Sequence, residues 1–232
     1  MDNSRKALVL LSGGLDSTTC AVLACREFGP ENVIALTLFY GQKHAKEIEA
    51  AKAVVRHLGI GEHHIEKLPD IFKGGGSTLV DPELSNPETT YEELNKSHGV
   101  SPTYVPFRNA NFLSAATTIA MVKEADTIFY GPHSEDARNW AYPDCTPEFN
   151  GAMANAIFIG TYMKVRLVTP LQWMTKTEVV ALGRKIGVPF ELTWSCYNGL
   201  EKACGVCPTC VGRLQAFHDN GMEDPIAYER RA

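Results

Sequence analysis

The sequence predicts an α/β fold: a Rossmann-like parallel sheet wound with helices, followed by a small cysteine-bearing C-terminal segment. Three observations predict it. Apolar runs of strand length alternate with helix-period patterns along the chain, which implies βαβ units. A Gly-Gly turn, Ser12-Gly13-Gly14-Leu15-Asp16-Ser17, joins the first strand to the first helix. Four of seven cysteines, Cys196, Cys204, Cys207 and Cys210, crowd into one stretch near the C-terminus.

Each element follows from its pattern. Ala7-Leu8-Val9-Leu10-Leu11 is a continuous apolar run, as in a strand buried on both faces. Ala21, Ala24, Cys25 and Phe28 then recur at helical spacing, and Gly29-Pro30 stops that helix. Residues 33–39 read as a second buried strand. Ile48, Ala51, Val55 and Leu58 mark a second helix ending at Gly59. From 73 to 106 the periodicity fails. Gly74-Gly75-Gly76-Ser77 opens a proline-bearing stretch, read as a lid-like insertion with a polar exit at 104–109. Helices are predicted over 110–122 and 148–158, and strands over 127–130 and 165–169. Thr175-Lys176-Thr177-Glu178 has the form of a capping box, and Gly187-Val188-Pro189 closes the helix it starts.

Composition narrows the function classes. The 232 residues are 44% hydrophobic and 21% charged, one ordinary globular domain with a small appendage. With 22 Lys+Arg against 27 Asp+Glu, the net charge is −5 and no basic stripe stands out. Direct nucleic-acid binding is therefore disfavoured and a small-molecule substrate is not. No apolar run approaches the roughly 18 residues of a membrane span. The leading run lacks a secretory cleavage site, and the odd, clustered cysteines argue for a metal site in a cytoplasmic protein rather than a disulfide framework.

The glycine turn carries the first chemistry. Paired glycines expose successive amide N–H groups, the helix N-terminus adds partial positive charge, and two serine hydroxyls can donate. Residues Leu11, Ser12, Gly13, Gly14, Leu15, Asp16, Ser17 and Thr18 are thus the candidate phosphate cradle. Asp16 fits an anion site only with Mg²⁺ between it and the phosphates. No GxxxxGK[ST] and no GxGxxG occurs, which sets aside the two commoner nucleotide motifs. The competing reading is a plain capped turn. In the C-terminal cluster, four thiolates suit a closed tetrahedral Zn²⁺ site of structural type, with an iron–sulfur cluster or redox thiols as alternatives. Cys20 and Cys25 fall on the first helix and read as packing thiols. On this basis 1–190 is a nucleotide-binding domain and 191–232 a zinc-binding segment pinned to it.

Ser12-Gly13-Gly14-Leu15-Asp16-Ser17 resembles the PP-loop of the ATP pyrophosphatases, which adenylate a carbonyl oxygen and release pyrophosphate. Tyr40-Gly41-Gln42-Lys43-His44, Val105-Pro106-Phe107-Arg108-Asn109, Tyr142-Pro143-Asp144-Cys145, Thr193-Trp194-Ser195-Cys196-Tyr197 and the terminal cysteines through Arg213 narrow the likeness. Together they resemble the 7-cyano-7-deazaguanine synthases, the QueC family of queuosine-precursor biosynthesis. Many members read Gly-Tyr-Pro-Asp-Cys-Arg where this chain has Ala141 and Thr146. The resemblance implies an ATP-dependent ligase that turns 7-carboxy-7-deazaguanine and ammonia into the nitrile through an adenylated acid, an amide and an adenylated amide. It also implies a homodimer. The alternatives are an enzyme that stops at the amide or acylates another amine, and a nucleotide-binding module without turnover.

Under that resemblance, ATP with Mg²⁺ is the co-substrate and Asp16, Lys43, Arg108, Asp144 and Cys145 are the catalytic candidates. Lys43 or Arg108 neutralises phosphate charge in the transition state. Asp136 and Asp144 accept the guanine-like N–H edge, or one of them takes a proton from ammonium. Phe107, Arg108 and Tyr142 complete the substrate-binding set, and Cys145 is a possible nucleophile. His44 and His133, at strand exits, are further candidates, whereas His63 and His64 read as surface.

Overall fold

The computed structural model describes residues 5–43, 45–94 and 99–230. Five parallel strands form one sheet: β1 (Ala7–Leu10), β2 (Val33–Phe39), β3 (Glu62–Lys67), β4 (Thr127–Phe129) and β5 (Arg166–Val168), in the order β3-β2-β1-β4-β5. Chain order reverses across β1, so the loops leaving β1 and β4 part to opposite sides and open a crevice at their carboxyl ends. Seven helices accompany the strands among the described residues: α1 (Leu15–Phe28), α2 (Lys46–Leu58), α3 (Tyr91–Leu94), α4 (Arg108–Val122), α5 (Pro147–Gly160), α6 (Lys176–Ile186) and α7 (Pro208–Asp219).

The apolar strand runs work as their pattern requires. Alternate residues of β1 feed two cores: Ala7 and Val9 pack with Ala21, Ala24, Val179 and Phe217, while Leu8 and Leu10 pack with Leu113, Ala116 and Ile157. Because both faces are covered, every β1 residue is buried, which is why the run shows no polar alternation. The capping box is present: Thr175 accepts from Glu178 N, and Glu178 accepts from the Thr175 backbone. Gly59 and Gly187 end α2 and α6 in left-handed conformation.

Strand β3 has no counterpart among the predicted elements. Its sequence, Glu-His-His-Ile-Glu-Lys, lacks an apolar run because it lies at the sheet edge, where charged side chains stay wet. His63 is half-buried there and its Nε2 lies 2.9 Å from Thr37 Oγ1, so it is less exposed than its sequence context suggests. Among the described residues no helix is long and apolar enough to cross a membrane.

The 73–106 stretch packs down rather than hanging free. Thr78 N donates to Pro102 O at 2.9 Å, and Leu79 and Val80 join Tyr40, Phe72 and Val105 in a small cluster. The C-terminal segment is fastened by Arg213, whose fully buried guanidinium holds Asp224 through Nε (2.6 Å) and Nη2 (3.0 Å) and also donates to Thr193 Oγ1 and Phe190 O. The chain after α7 folds back on the cysteines, with Ala203 N donating to Ala227 O at 2.9 Å.

Candidate active site and metal centre

A cavity of about 260 Å³ occupies the crevice at the carboxyl ends of β1, β2 and β4. Its floor is the glycine turn. Gly13 holds φ at +86°, and a Cβ there would lie 2.4 Å from Glu47 O, so only glycine lets the turn seat against α2. The serines close on each other: Ser12 Oγ lies 3.0 Å from Ser17 Oγ and accepts from Gly14 N at 3.2 Å, while Ser17 Oγ donates to Gly14 O. No side chain caps α1, leaving its first amides available to an anion. Ser12, Gly14, Asp16 and Ser17 line the cavity. Leu15 and Thr18 point into the core instead, which makes them supports of the turn rather than contacts.

Asp16 meets a residue that its local sequence does not announce. Lys176 Nζ donates to Asp16 Oδ1 and Oδ2 at 2.7 and 2.5 Å, and lies 3.4 Å from His133 Nε2. Burial works to raise the Asp16 carboxyl, but Lys176 and then His133 hold it below the ordinary carboxylate range. It is an ionised acid beside a phosphate cradle, the charge a divalent cation needs. In the sequence Lys176 reads only as part of a helix cap, because the pairing spans 160 positions.

The opposite end of the cavity is built by α4, the β4 exit and the 136–145 loop. Arg108 lines it, donating from Nη1 to Tyr40 Oη at 3.0 Å and lying over the rings of Tyr40 and Phe112. Its Nε is buried without a hydrogen-bond partner. Burial works against the Arg108 charge, yet Tyr40, Asp144 and Cys145 raise its pKa, so it stays a cation. Tyr142 lines the wall and is tied to Ser101 and Thr103 of the 73–106 stretch. Asp136 also lines it, 3.4 Å from His133 Nε2.

The other expected site residues fall in different places. Asp144 lies behind the wall, 3% exposed, and accepts from Asn109 N at 3.0 Å, so it secures the first turn of α4 beside Arg108. Burial raises its carboxyl. Cys145 lines the cavity, but burial, Asp136 and Asp144 push its thiol well up. A thiol kept protonated is a poor nucleophile, which weighs against that role for Cys145. Phe107 does not line the cavity. It is 59% exposed, in left-handed conformation, with its ring edge-on to Phe149. Lys43 lines the rim, with Nζ on the carbonyl of Leu84. His44 lies outside the described residues.

Glu47, Tyr40, Trp194, Ser195, Tyr197 and Thr209 also line the cavity. Tyr40 and the 193–197 string carry a motif signal, whereas Glu47 stands in an amphipathic helix pattern that hides it.

The four clustered cysteines converge. Their sulfurs all lie within 4.8 Å of one another and all four side chains are buried. Backbone N–H groups of Asn198 and Cys204 point at Cys196 Sγ, and that of Cys207 at Cys204 Sγ, the environment that stabilises thiolates. Hydrogen bonds among the sulfurs pull Cys207 down and push Cys196 up. The donor set therefore fits a tetrahedral metal centre. The centre abuts the active-site wall: Trp194 N donates to Gly13 O at 2.9 Å, and Thr209 Oγ1 to Ser195 O at 2.8 Å.

A doubly wound sheet with this glycine turn at its switch point defines a PP-loop nucleotide-binding protein. The family model described as queuosine biosynthesis protein QueC matches residues 6–221, and the chain belongs to that family. It is 45% identical over 228 residues to 7-cyano-7-deazaguanine synthase of Koribacter versatilis, covering 97% of this chain and 94% of that one. It is 44% identical to the synthase of Methanoculleus marisnigri, covering 97% and 100%. Among solved structures, U34-tRNA thiolase NcsA from Methanococcus maripaludis with its 4Fe-4S cluster superposes with a TM-score of 0.54 at 17% identity. That match covers 93% of this chain and 65% of the other, a likeness of fold.

Proposed function

We propose that this chain converts 7-carboxy-7-deazaguanine and ammonia to 7-cyano-7-deazaguanine, using ATP twice. The family membership and the names of its relatives support the reaction. The observation that carries it to residues is the shared cavity, where a phosphate cradle faces an arginine whose Nε is buried and unpartnered. A carboxylate is a poor electrophile. Transfer of AMP to its oxygen makes it a good one, and ammonia then displaces AMP to give the amide. AMP transfer to the amide oxygen lets the C–O bond break as the nitrile forms.

The residues divide this work by position. The free amides of α1 and the turn from Ser12 to Ser17 hold the ATP phosphates. Asp16 would hold Mg²⁺, which when bound neutralises phosphate charge. Lys176, already on Asp16, is placed to follow that charge as pyrophosphate forms. Lys43 closes on the phosphates from the rim. Arg108 takes the substrate carboxylate, with Asp144 positioning its helix. Asp136 accepts from the guanine-like N–H edge, and Tyr142 and Cys145 shape the slot for the base.

Zn²⁺ in the cysteine centre would cross-link the 191–232 segment to the glycine turn and supply rigidity rather than reactivity. The chain works on the free base as a cytoplasmic homodimer. Exposed apolar side chains around the end of α5, Ile159, Tyr162 and Met163, would supply the contact that pairing needs.

The deciding experiment supplies the deazaguanine acid, Mg-ATP and ammonium and resolves acid, amide and nitrile by mass. Nitrile with AMP is expected. Accumulation of amide alone, or absence of AMP, refutes the reading.

A further inference from the structure

The proposed reaction sheds protons from nitrogen, first as ammonia adds to the acyl-adenylate and again as the nitrile forms. Three carboxylates around the cavity are already engaged: Asp144 by Asn109 N, Asp136 by His133, and Asp16 by Lys176. Glu47 is different. It sits in the first turn of α2, whose backbone is pressed against Gly13, and it contributes to the wall of the same cavity. No hydrogen bond or ion pair holds its carboxyl among the described residues. Arg108 from α4 and Tyr40 from the end of β2 face it electrostatically, and Asp16 and Lys43 line the same space. The half-buried Glu47 side chain lies on the cavity wall between the glycine turn and Arg108, where a bound substrate can reach it.

We propose that Glu47 is the proton acceptor for both nitrogen steps, a catalytic residue of the reaction set out above, on which this assignment rests. In the first step the ammonia lone pair forms the C–N bond. The C–O bond breaks with its electron pair leaving on AMP, and the proton lost by nitrogen passes to the Glu47 carboxylate. In the second step an N–H proton of the adenylated amide passes to Glu47 and the N–H pair becomes the third C–N bond. The C–O pair again leaves with AMP, and Glu47 returns each proton to water between turnovers. Burial pushes this carboxyl up to about 7 against the pull of Arg108, where a group both takes and releases protons at neutral pH.

The test compares the wild-type protein with E47Q and E47D, using the deazaguanine acid, Mg-ATP and ammonium. Adenylation needs no base. E47Q should therefore keep acid-dependent exchange of labelled pyrophosphate into ATP within about threefold, while amide and nitrile formation fall by ~10²-fold or more. E47D should recover part of that loss. The wild-type rate should fall on the acid side of neutrality, and that limb should vanish in E47Q. Nitrile formation by E47Q at the wild-type rate overturns the assignment, as does a parallel loss of pyrophosphate exchange. A wild-type protein that makes neither amide nor nitrile overturns the underlying reaction instead.

Discussion

The two ends of the cavity are built on opposite principles. At the phosphate end the polar side chains of the turn satisfy one another: Ser12 with Ser17, Ser17 with Gly14, Asp16 with Lys176. At the acceptor end Arg108 Nε is buried without a partner, and the half-buried Glu47 opens onto the cavity. A cradle whose polar groups are already paired with one another costs little to hold open. Unpaired charge beside a half-apolar slot costs stability, and native proteins keep such groups where a ligand completes them. The phosphate end is thus ready before ATP arrives, whereas the acceptor end is completed by its substrate.

The strongest way to break this contrast is to remove what both ends lean on. Cys204→Ser takes a ligand from the metal centre, whose segment reaches the turn through Trp194 N and Gly13 O. The expected result is loss of bound metal and a fall in Tm on the order of 10 °C, with both half-reactions impaired. Unchanged metal content refutes that ligand, and loss confined to one end shows that the segment serves only that end.

Arg108→Lys probes the acceptor end. Lysine keeps the charge but not the fork, so kcat/KM for the acid should fall about 10²-fold with KM for ATP nearly unchanged. An equal loss for both substrates would erase the division of labour.

Asp16→Asn probes the phosphate end and should raise KM for ATP about tenfold. It also leaves Lys176 without its anion, a destabilisation of about 1–3 kcal/mol at neutral pH. Because the folded Asp16 carboxyl lies below its ordinary value, its contribution is complete above the unfolded value near ~4. It is lost as pH falls through the folded value, so Asp16→Asn should show a flatter acid limb in a Tm-against-pH series. Identical limbs would mean that the pair contributes no net stability.

Phe107→Ala should do least. The ring is 59% exposed and outside the cavity, so KM for the acid should change by less than about threefold. A larger effect would extend the acceptor end beyond the cavity wall.

These contrasts also explain what was legible in the sequence. Strands β1 and β2, helices α1 and α6 and the glycine turn write themselves in runs and spacings of a few residues, which local sterics and capping convert directly into conformation. Strand β3 left no such trace, because at a sheet edge pairing rather than burial makes the strand. Among the candidate site residues, Arg108 could be named from a motif, while Lys176 and Glu47 could not. Both stand in ordinary helix patterns, and nothing nearby in the sequence marks the group each one faces.

By itself, then, the sequence determined the doubly wound class, the glycine turn and the four clustered cysteines. Each of those depends on residues a few positions apart. Tertiary structure alone decided that Lys176 meets Asp16 across 160 positions, that Phe107 stays outside and that Asp144 sits behind the wall. It also decided that Arg108 and Glu47 line one cavity, and the reason is desolvation. A charge changes its chemistry only when packed elements exclude water around it, and which elements pack is a property of the whole chain.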